Sequence, residues 1–197
     1  MKINKSMIGD NRPTFIIAEM SANHGQDINK ALDLVYAAKE AGADAIKLQT
    51  YTPDTLTLEH KSKDFYINNG PWSGQYMYDL YKDAYMPWDW HGQLFELANK
   101  IDISIFSSPF DASAIQFLEE LGCPAYKIAS PEVIDLPLIR RASKTKKPII
   151  ISTGSATITQ INEVLKCLEQ EKTKDFALLK CTSEYPASPE DINLKTL

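Results

Sequence analysis

The chain has 197 residues, 44% apolar and 24% charged, with 21 basic and 26 acidic side chains for a net charge of −5. That balance suits one soluble globular domain with a sizeable core and argues against a nucleic-acid surface, though a local basic pocket stays open. No apolar stretch approaches the ~20 residues that span a bilayer, and the opening MKINKSMIGDNRPT lacks the apolar centre of a secretion signal.

In chain order, the first apolar run is 14–19 (TFIIAE), followed by a helical pattern over 27–41 that puts Ile28, Ala31, Leu34, Val35 and Ala38 on one face. Asp27 stands at its N-cap position and Gly42 just past its end. A second run, 45–49 (AIKLQ), leads into a long stretch, 51–85, rich in aromatics, Asn, Gly and Pro, with a short helix expected over 75–85. Then come a helix over 88–100, a run 103–108 (ISIFSS), and a helix over 111–121 headed by Asp111. Three further runs, 125–130 (AYKIAS), 148–153 (PIIIST) and 176–182 (FALLKCT), are separated by helices over 136–144, capped by Asp135, and 157–171. Continuous apolar runs read as parallel strands covered on both faces, and strand–helix alternation at this pace means βαβ units. The expected fold class is α/β, a TIM-type (β/α) barrel. Six strands are about six of its eight units, so 1–197 is expected to be the N-terminal part of a longer catalytic domain.

Parallel strands send their polar ends to one rim, where such barrels build their sites. Glu19, Lys47, Ser108, Lys127, Ser130, Glu132, Ser152 and Tyr185 all fall at or just past strand ends. Two lysines with several hydroxyls suit an anion, the ammonium groups supplying charge and the hydroxyls fixing phosphate or carboxylate oxygens. Glu19 and Glu132 are either proton-moving groups or ion-pair partners of the lysines. Gln49 and Asn23 add neutral hydrogen-bonding capacity. The 51–85 insertion follows the second strand and suits a lid or substrate wall. His24, His60 and His91 share no metal-ligand spacing, and structural roles are expected for them. Cys123, Cys167 and Cys181 are odd in number and lack metal spacing. They suit a reduced cytoplasm as small buried residues.

The segments IIAEMSANHGQDINKALDLVYAAKEAGADAIKLQTYTPDTLT, FSSPFD, AYKIASPE, IISTG and LKCTSEYP together resemble the sialic acid synthase superfamily over nearly the whole chain. The insertion, DFYINNGPW followed by LYKDAYMPWDWH, resembles its pseudaminic acid synthase branch. The resemblance implies a cytoplasmic transferase that condenses phosphoenolpyruvate with 2,4-diacetamido-2,4,6-trideoxy-L-altrose, giving pseudaminic acid and phosphate. N-acetylneuraminate or legionaminate synthesis is the alternative within the superfamily. It implies Lys47, Ser108, Lys127, Ser130 and Ser152 for phosphoenolpyruvate, and Glu19, Glu132, Ser183 and Tyr185 for the sugar. Gln49 joins the substrate contacts, and Glu19, Lys47 and Lys127 are the catalytic candidates. It further implies a divalent metal, Mn2+ or Mg2+, acting as a Lewis acid, and a homodimer for the full-length protein, with neither nucleic acid nor membrane as partner. The family's metal-binding histidines lie in GLSDH-like and E-x-HF-like motifs that this sequence lacks, as it lacks the C-terminal antifreeze-like domain, so this chain alone is expected to be inactive. Two other classes stay open: a Schiff-base aldolase using Lys127 or Lys180, and an inactive phosphate-binding remnant.

Overall fold

A parallel strand covered on both faces needs apolar side chains at odd and even positions alike; each of the sequence's runs contains a strand, buried at 45–50, 104–109 and 149–152 and largely exposed at 176–179. The computed structural model describes residues 1–182, 187–193 and 195. The chain divides into two compact units, Thr14–Gly122, and Met1–Pro13 together with Cys123–Leu197. It starts with a small antiparallel hairpin, β1 (Lys2–Ile3) and β2 (Ser6–Met7), which the sequence did not announce.

The Thr14–Gly122 unit runs β3 (Ile17–Glu19), α1 (Ile28–Glu40), β4 (Ala45–Thr50), α2 (Pro53–Leu56), α3 (Met77–Ala84), α4 (Trp88–Lys100), β5 (Ser104–Pro109) and α5 (Ala112–Glu120). β3 and β4 pair in parallel with Glu19 opposite Lys47, and β4 pairs with β5 with Lys47 opposite Phe106 and Gln49 opposite Ser108. Because side chains alternate across a sheet, this register puts Glu19, Lys47, Gln49, Phe106 and Ser108 on one face. Ile46, Leu48, Thr50, Ile105 and Ser107 take the other. Helix α1 starts where Asp27 accepts a hydrogen bond from the Asn29 amide at 2.9 Å, and buries Ala31, Val35 and Ala38. It ends ahead of Gly42, whose φ of +83° a side chain would disfavour. Asp111 caps α5 in the same manner, accepting from the Ser113 and Ala114 amides. The insertion holds α2, a one-turn 3-10 helix (Lys63–Phe65) and α3. Between the last two, Tyr66 and Tyr76 form an antiparallel bridge.

The second unit carries β6 (Tyr126–Ile128), α6 (Leu136–Lys144), β7 (Ile149–Ser152), α7 (Ile158–Gln170) and β8 (Phe176–Leu179), again with parallel pairing: Lys127 opposite Ile150, and Ser152 opposite Leu179. Helix α6 buries Leu138, Ile139 and Ala142, while Val164, Cys167 and Leu168 of α7 are buried too. The α-amino group of Met1 reaches Asp175 at 3.9 Å, tethering the N-terminal hairpin near the start of β8. The strand expected over 125–130 is shorter because Ser130 turns into the helical region (φ −59°, ψ −41°) and heads a 3-10 turn, Pro131–Ile134. Among the described residues no helix is long and apolar enough to cross a membrane.

Candidate functional site

In the Thr14–Gly122 unit the polar positions that share a sheet face come together. The Lys47 side chain is buried, only 5% exposed, and its Nζ lies 2.8 Å from Oε2 of Glu19, whose side chain is 56% exposed. Lys47 Nζ also donates to Ser108 Oγ at 3.4 Å, and Ser108 is buried. A charged ammonium in an apolar strand is costly unless an anion and hydrogen-bond acceptors meet it. Here Glu19 meets it from the solvent side, so the ion-pair role open to Glu19 is the one it adopts in this structure. Gln49 is half-buried, two residues along from Lys47.

The start of the insertion is built on aromatic packing. Tyr51 is buried, with ring edges toward Phe110 (5.3 Å between centroids) and Tyr81 of α3 (6.1 Å). Burial, together with Tyr81, pushes its phenol up to about 12, so it stays neutral. Trp88 Nε1 donates to the Tyr51 carbonyl at 3.1 Å, joining the two ends of the insertion.

Two histidines of this unit are buried. His24 accepts from the Gln26 amide through Nδ1 at 3.2 Å, and its ring meets Trp90 edge-on at 5.6 Å. Burial first, and then the charge of Lys30, hold its imidazole below the ordinary value. His91 bonds Thr50 through Nε2 (2.9 Å) and Pro87 O through Nδ1 (3.3 Å). Burial holds it down to about 4 against the weaker opposing pull of the Pro87 and Trp88 backbone and Asp89. His91 is thus hydrogen-bonded through both ring nitrogens, whereas His24 is bonded through Nδ1 only and its Nε2 is buried without a partner.

In the second unit Ser130 joins two loops: its Oγ accepts from the Gly154 amide at 3.2 Å, and its carbonyl accepts from the Ser155 hydroxyl at 2.9 Å. Ser152 is buried at the end of β7. Lys127 is half-buried on the face of β6 that carries Ile150 and Ser152 on β7. Glu132 lies within reach of its charge. Burial raises the Glu132 carboxyl, its own amide and Lys127 pull the other way, and Asp135 adds to the rise. One Glu132 oxygen is buried without a partner, an arrangement that suits a carboxylic acid better than a carboxylate. Lys180 donates to Thr182 Oγ1 at 3.1 Å and to the Asp191 carbonyl at 3.3 Å. Ser183 and Tyr185 lie outside the described residues.

Residues the sequence reading passed over are Thr50, Ser107, Gly154 and Ser155. Thr50 and Ser107 did carry a signal, being polar positions on the helix-facing parity of otherwise apolar strands. Among the described residues no group of three or more His, Cys, Asp or Glu side chains is placed to hold a metal ion. The divalent metal implied by the resemblance therefore finds no fitting ligand set here.

The chain belongs to the NeuB family, whose model matches residues 34–197. It is 48% identical over 186 residues to a pseudaminic acid synthase of Helicobacter pylori, covering 94% of this chain and 55% of that protein. An N,N'-diacetyllegionaminic acid synthase of Legionella pneumophila is 38% identical over 193 residues, covering 96% of this chain and 54% of that protein. Among solved structures, the N-acetylneuraminic acid synthetase of Leptospira borgpetersenii in complex with citrate matches with a TM-score of 0.86 and 31% identity, over 100% of this chain and 64% of that one. The chain spans about half the length of the curated relatives it matches. Its fold is thus of the TIM (β/α) type, with parallel strands alternating with helices, as the periodicity required.

Proposed function

We propose that this chain is the N-terminal part, with a rim insertion at about 51–85, of the catalytic (β/α)8 domain of a phosphoenolpyruvate-dependent nonulosonic acid synthase. Its reaction joins phosphoenolpyruvate to 2,4-diacetamido-2,4,6-trideoxy-L-altrose and yields pseudaminic acid and phosphate. C3 of phosphoenolpyruvate bonds to the aldehyde carbon, water adds at C2, and phosphate leaves by C–O cleavage. The observation that carries the reading is the buried Lys47 ammonium inside strand β4, not at its end as the sequence suggested, beside Ser108 near the end of β5 and with a solvent-facing Glu19 as its counter-charge. The 48% identity to a pseudaminic acid synthase supports the choice of sugar.

In this reading Lys47 and Ser108, and in the other unit Lys127, Ser130 and Ser152, bind phosphoenolpyruvate through charge and hydroxyl donors. Glu19 holds the Lys47 ammonium in place and contacts the sugar as the anion takes over part of that charge. Gln49, Ser183 and Tyr185 supply hydrogen bonds to the sugar. Glu132, kept toward its neutral form, donates a proton at a sugar oxygen. The Leptospira relative is described in complex with citrate, itself a small polyanion. The full-length protein is further taken to be a cytoplasmic homodimer.

A second reading, legionaminate or N-acetylneuraminate synthesis, is favoured by the 38% identity to a legionaminic acid synthase. Phosphate release by the full-length enzyme with phosphoenolpyruvate, Mn2+ and either the altrose derivative or N-acetylmannosamine decides between them. Release with the altrose derivative is expected. Release with N-acetylmannosamine alone moves the protein to the sialic acid branch, and release with neither overturns the pseudaminic acid assignment and leaves legionaminate synthesis to be read with that reaction's own diacetamido sugar.

A further inference from the structure

Behind Lys47 and Gln49 of β4 and Ser108 of β5, on the opposite face of the sheet, lies a buried chain of polar groups. Ser107 Oγ and Thr50 Oγ1 are 2.6 Å apart, Thr50 Oγ1 is 2.9 Å from His91 Nε2, and His91 Nδ1 is 3.3 Å from the Pro87 carbonyl. Thr50, His91 and Ser107 are all fully buried. One arrangement of protons satisfies every member. A carbonyl only accepts, so Nδ1 carries the imidazole hydrogen and Nε2 is left as an acceptor. Thr50 must then donate to Nε2, and its lone pairs accept the Ser107 hydroxyl. The chain has a single direction, Ser107 to Thr50 to His91 to Pro87.

Apolar side chains would fill this layer without any polar group to satisfy, as Leu48 and Ile105 do beside it. What hydrogen bonds add is directionality: within the register the backbone ladder sets, they hold the end of β4 against β5 where van der Waals contacts are permissive. The register makes that consequential. Thr50 follows Gln49 directly and Ser107 precedes Ser108 directly, so the clamp sits one residue from the polar groups on each strand. Its far end is Pro87, just beyond the insertion, whose first residue, Tyr51, accepts from Trp88 Nε1 at 3.1 Å. The same network therefore ties the root of the insertion to the strand ends.

We infer that His91 is a positioning residue: through Thr50 and Ser107 it locks the ends of β4 and β5 so that Lys47 and Ser108 meet phosphoenolpyruvate at fixed spacing. The inference rests on the proposed assignment of Lys47 and Ser108 to that substrate. His91 touches no substrate and acts through the two strands. Its ring also packs edge-on to Phe117 at 5.3 Å, so shape and hydrogen bonding need separate variants.

The test uses the full-length enzyme. Thr50→Val keeps the volume of Thr50 and removes the hydroxyl at the centre of the chain, while Thr50→Ser keeps the hydroxyl. Thr50→Val is expected to raise KM for phosphoenolpyruvate about tenfold, with KM for the sugar within about twofold, and Thr50→Ser to return it to within about threefold of wild type. His91→Phe, which keeps the ring against Phe117, is expected to match Thr50→Val. A merely structural network would lower the thermal midpoint of Thr50→Val and leave KM for phosphoenolpyruvate in place, and that result overturns the inference. Should Thr50→Val not fold, Ser107→Ala, which shortens the chain by one link, is read by the same KM split. The wild-type control reads the underlying assignment separately: no phosphoenolpyruvate-dependent phosphate release overturns both, while normal release with unchanged KM in every variant overturns the clamp alone.

Discussion

Lys47→Met, in the full-length protein, separates a ligand-binding lysine from a structural ion pair. With an effective dielectric near 20, two unit charges 2.8 Å apart attract by roughly 6 kcal/mol before desolvation is counted. The two partners pay very unequal desolvation, because the Lys47 side chain is 5% exposed and that of Glu19 is 56% exposed. Several kcal/mol of buried-ammonium desolvation cancel most of that attraction, and an orphaned Glu19 simply stays in water. Lys47→Met keeps the apolar stem, so its stability is expected within about 1 kcal/mol of wild type, or about 2–4 °C in thermal midpoint. Glu19→Gln does the opposite, leaving the buried ammonium with neutral acceptors only, the Gln amide oxygen and the Ser108 hydroxyl at 3.4 Å, and is expected to cost about 1–3 kcal/mol. Binding inverts the order. Loss of the ammonium should weaken phosphoenolpyruvate about 100-fold, close to 3 kcal/mol. Thermal unfolding with and without phosphoenolpyruvate, alongside calorimetric titration, reads both quantities. A Lys47→Met protein that melts more than about 8 °C lower and still binds phosphoenolpyruvate within about threefold of wild type would make Lys47 a structural ion pair only.

Two pH dependences follow from buried titratable groups. His91 is held at about 4 from an ordinary 6.5, so the unfolded chain binds protons first as the pH falls. Its stabilising contribution is complete above the ordinary value and is lost as the pH drops from there toward 4, by roughly 3 kcal/mol. Urea unfolding at a series of acidic pH values should therefore show a flatter profile for His91→Phe than for wild type, and equal slopes would contradict the assignment. Glu132 has the opposite sign, because burial raises its carboxyl and the folded state keeps the proton longer. Stability is greatest below the ordinary carboxylate range and falls as the pH rises through it toward the raised folded value. Glu132→Gln should remove that fall; a profile unchanged from wild type would place the carboxylate in water.

How much of this was legible beforehand differs from residue to residue. Helices 88–100 and 136–144 were bounded correctly, because their apolar periodicity and end signals are local: Asp135 accepts from the Leu138 amide of its own helix at 3.0 Å. The strand over 125–130 was drawn too long, because nothing local in AYKIAS marks the point where Ser130 leaves the extended region. Ser108 stood out as the polar end of an apolar run, and Lys47 as a cation flanked by apolar residues inside one. The short hairpin β1–β2 and the Tyr66–Tyr76 bridge left no run long enough to read.

Alternation of strand and helix, the caps and the list of polar strand ends were written in the sequence, since each depends on residues a few positions apart. Register was not. Whether Glu19 faces Lys47, whether Thr50 lies near Ser107, and that His91 closes the chain behind them depend on how strands distant in sequence slide past one another. The backbone ladders, the packing of the helices on the sheet and the side-chain bonds behind it together set that slide, and a shift of a single residue would send every one of these side chains to the opposite face.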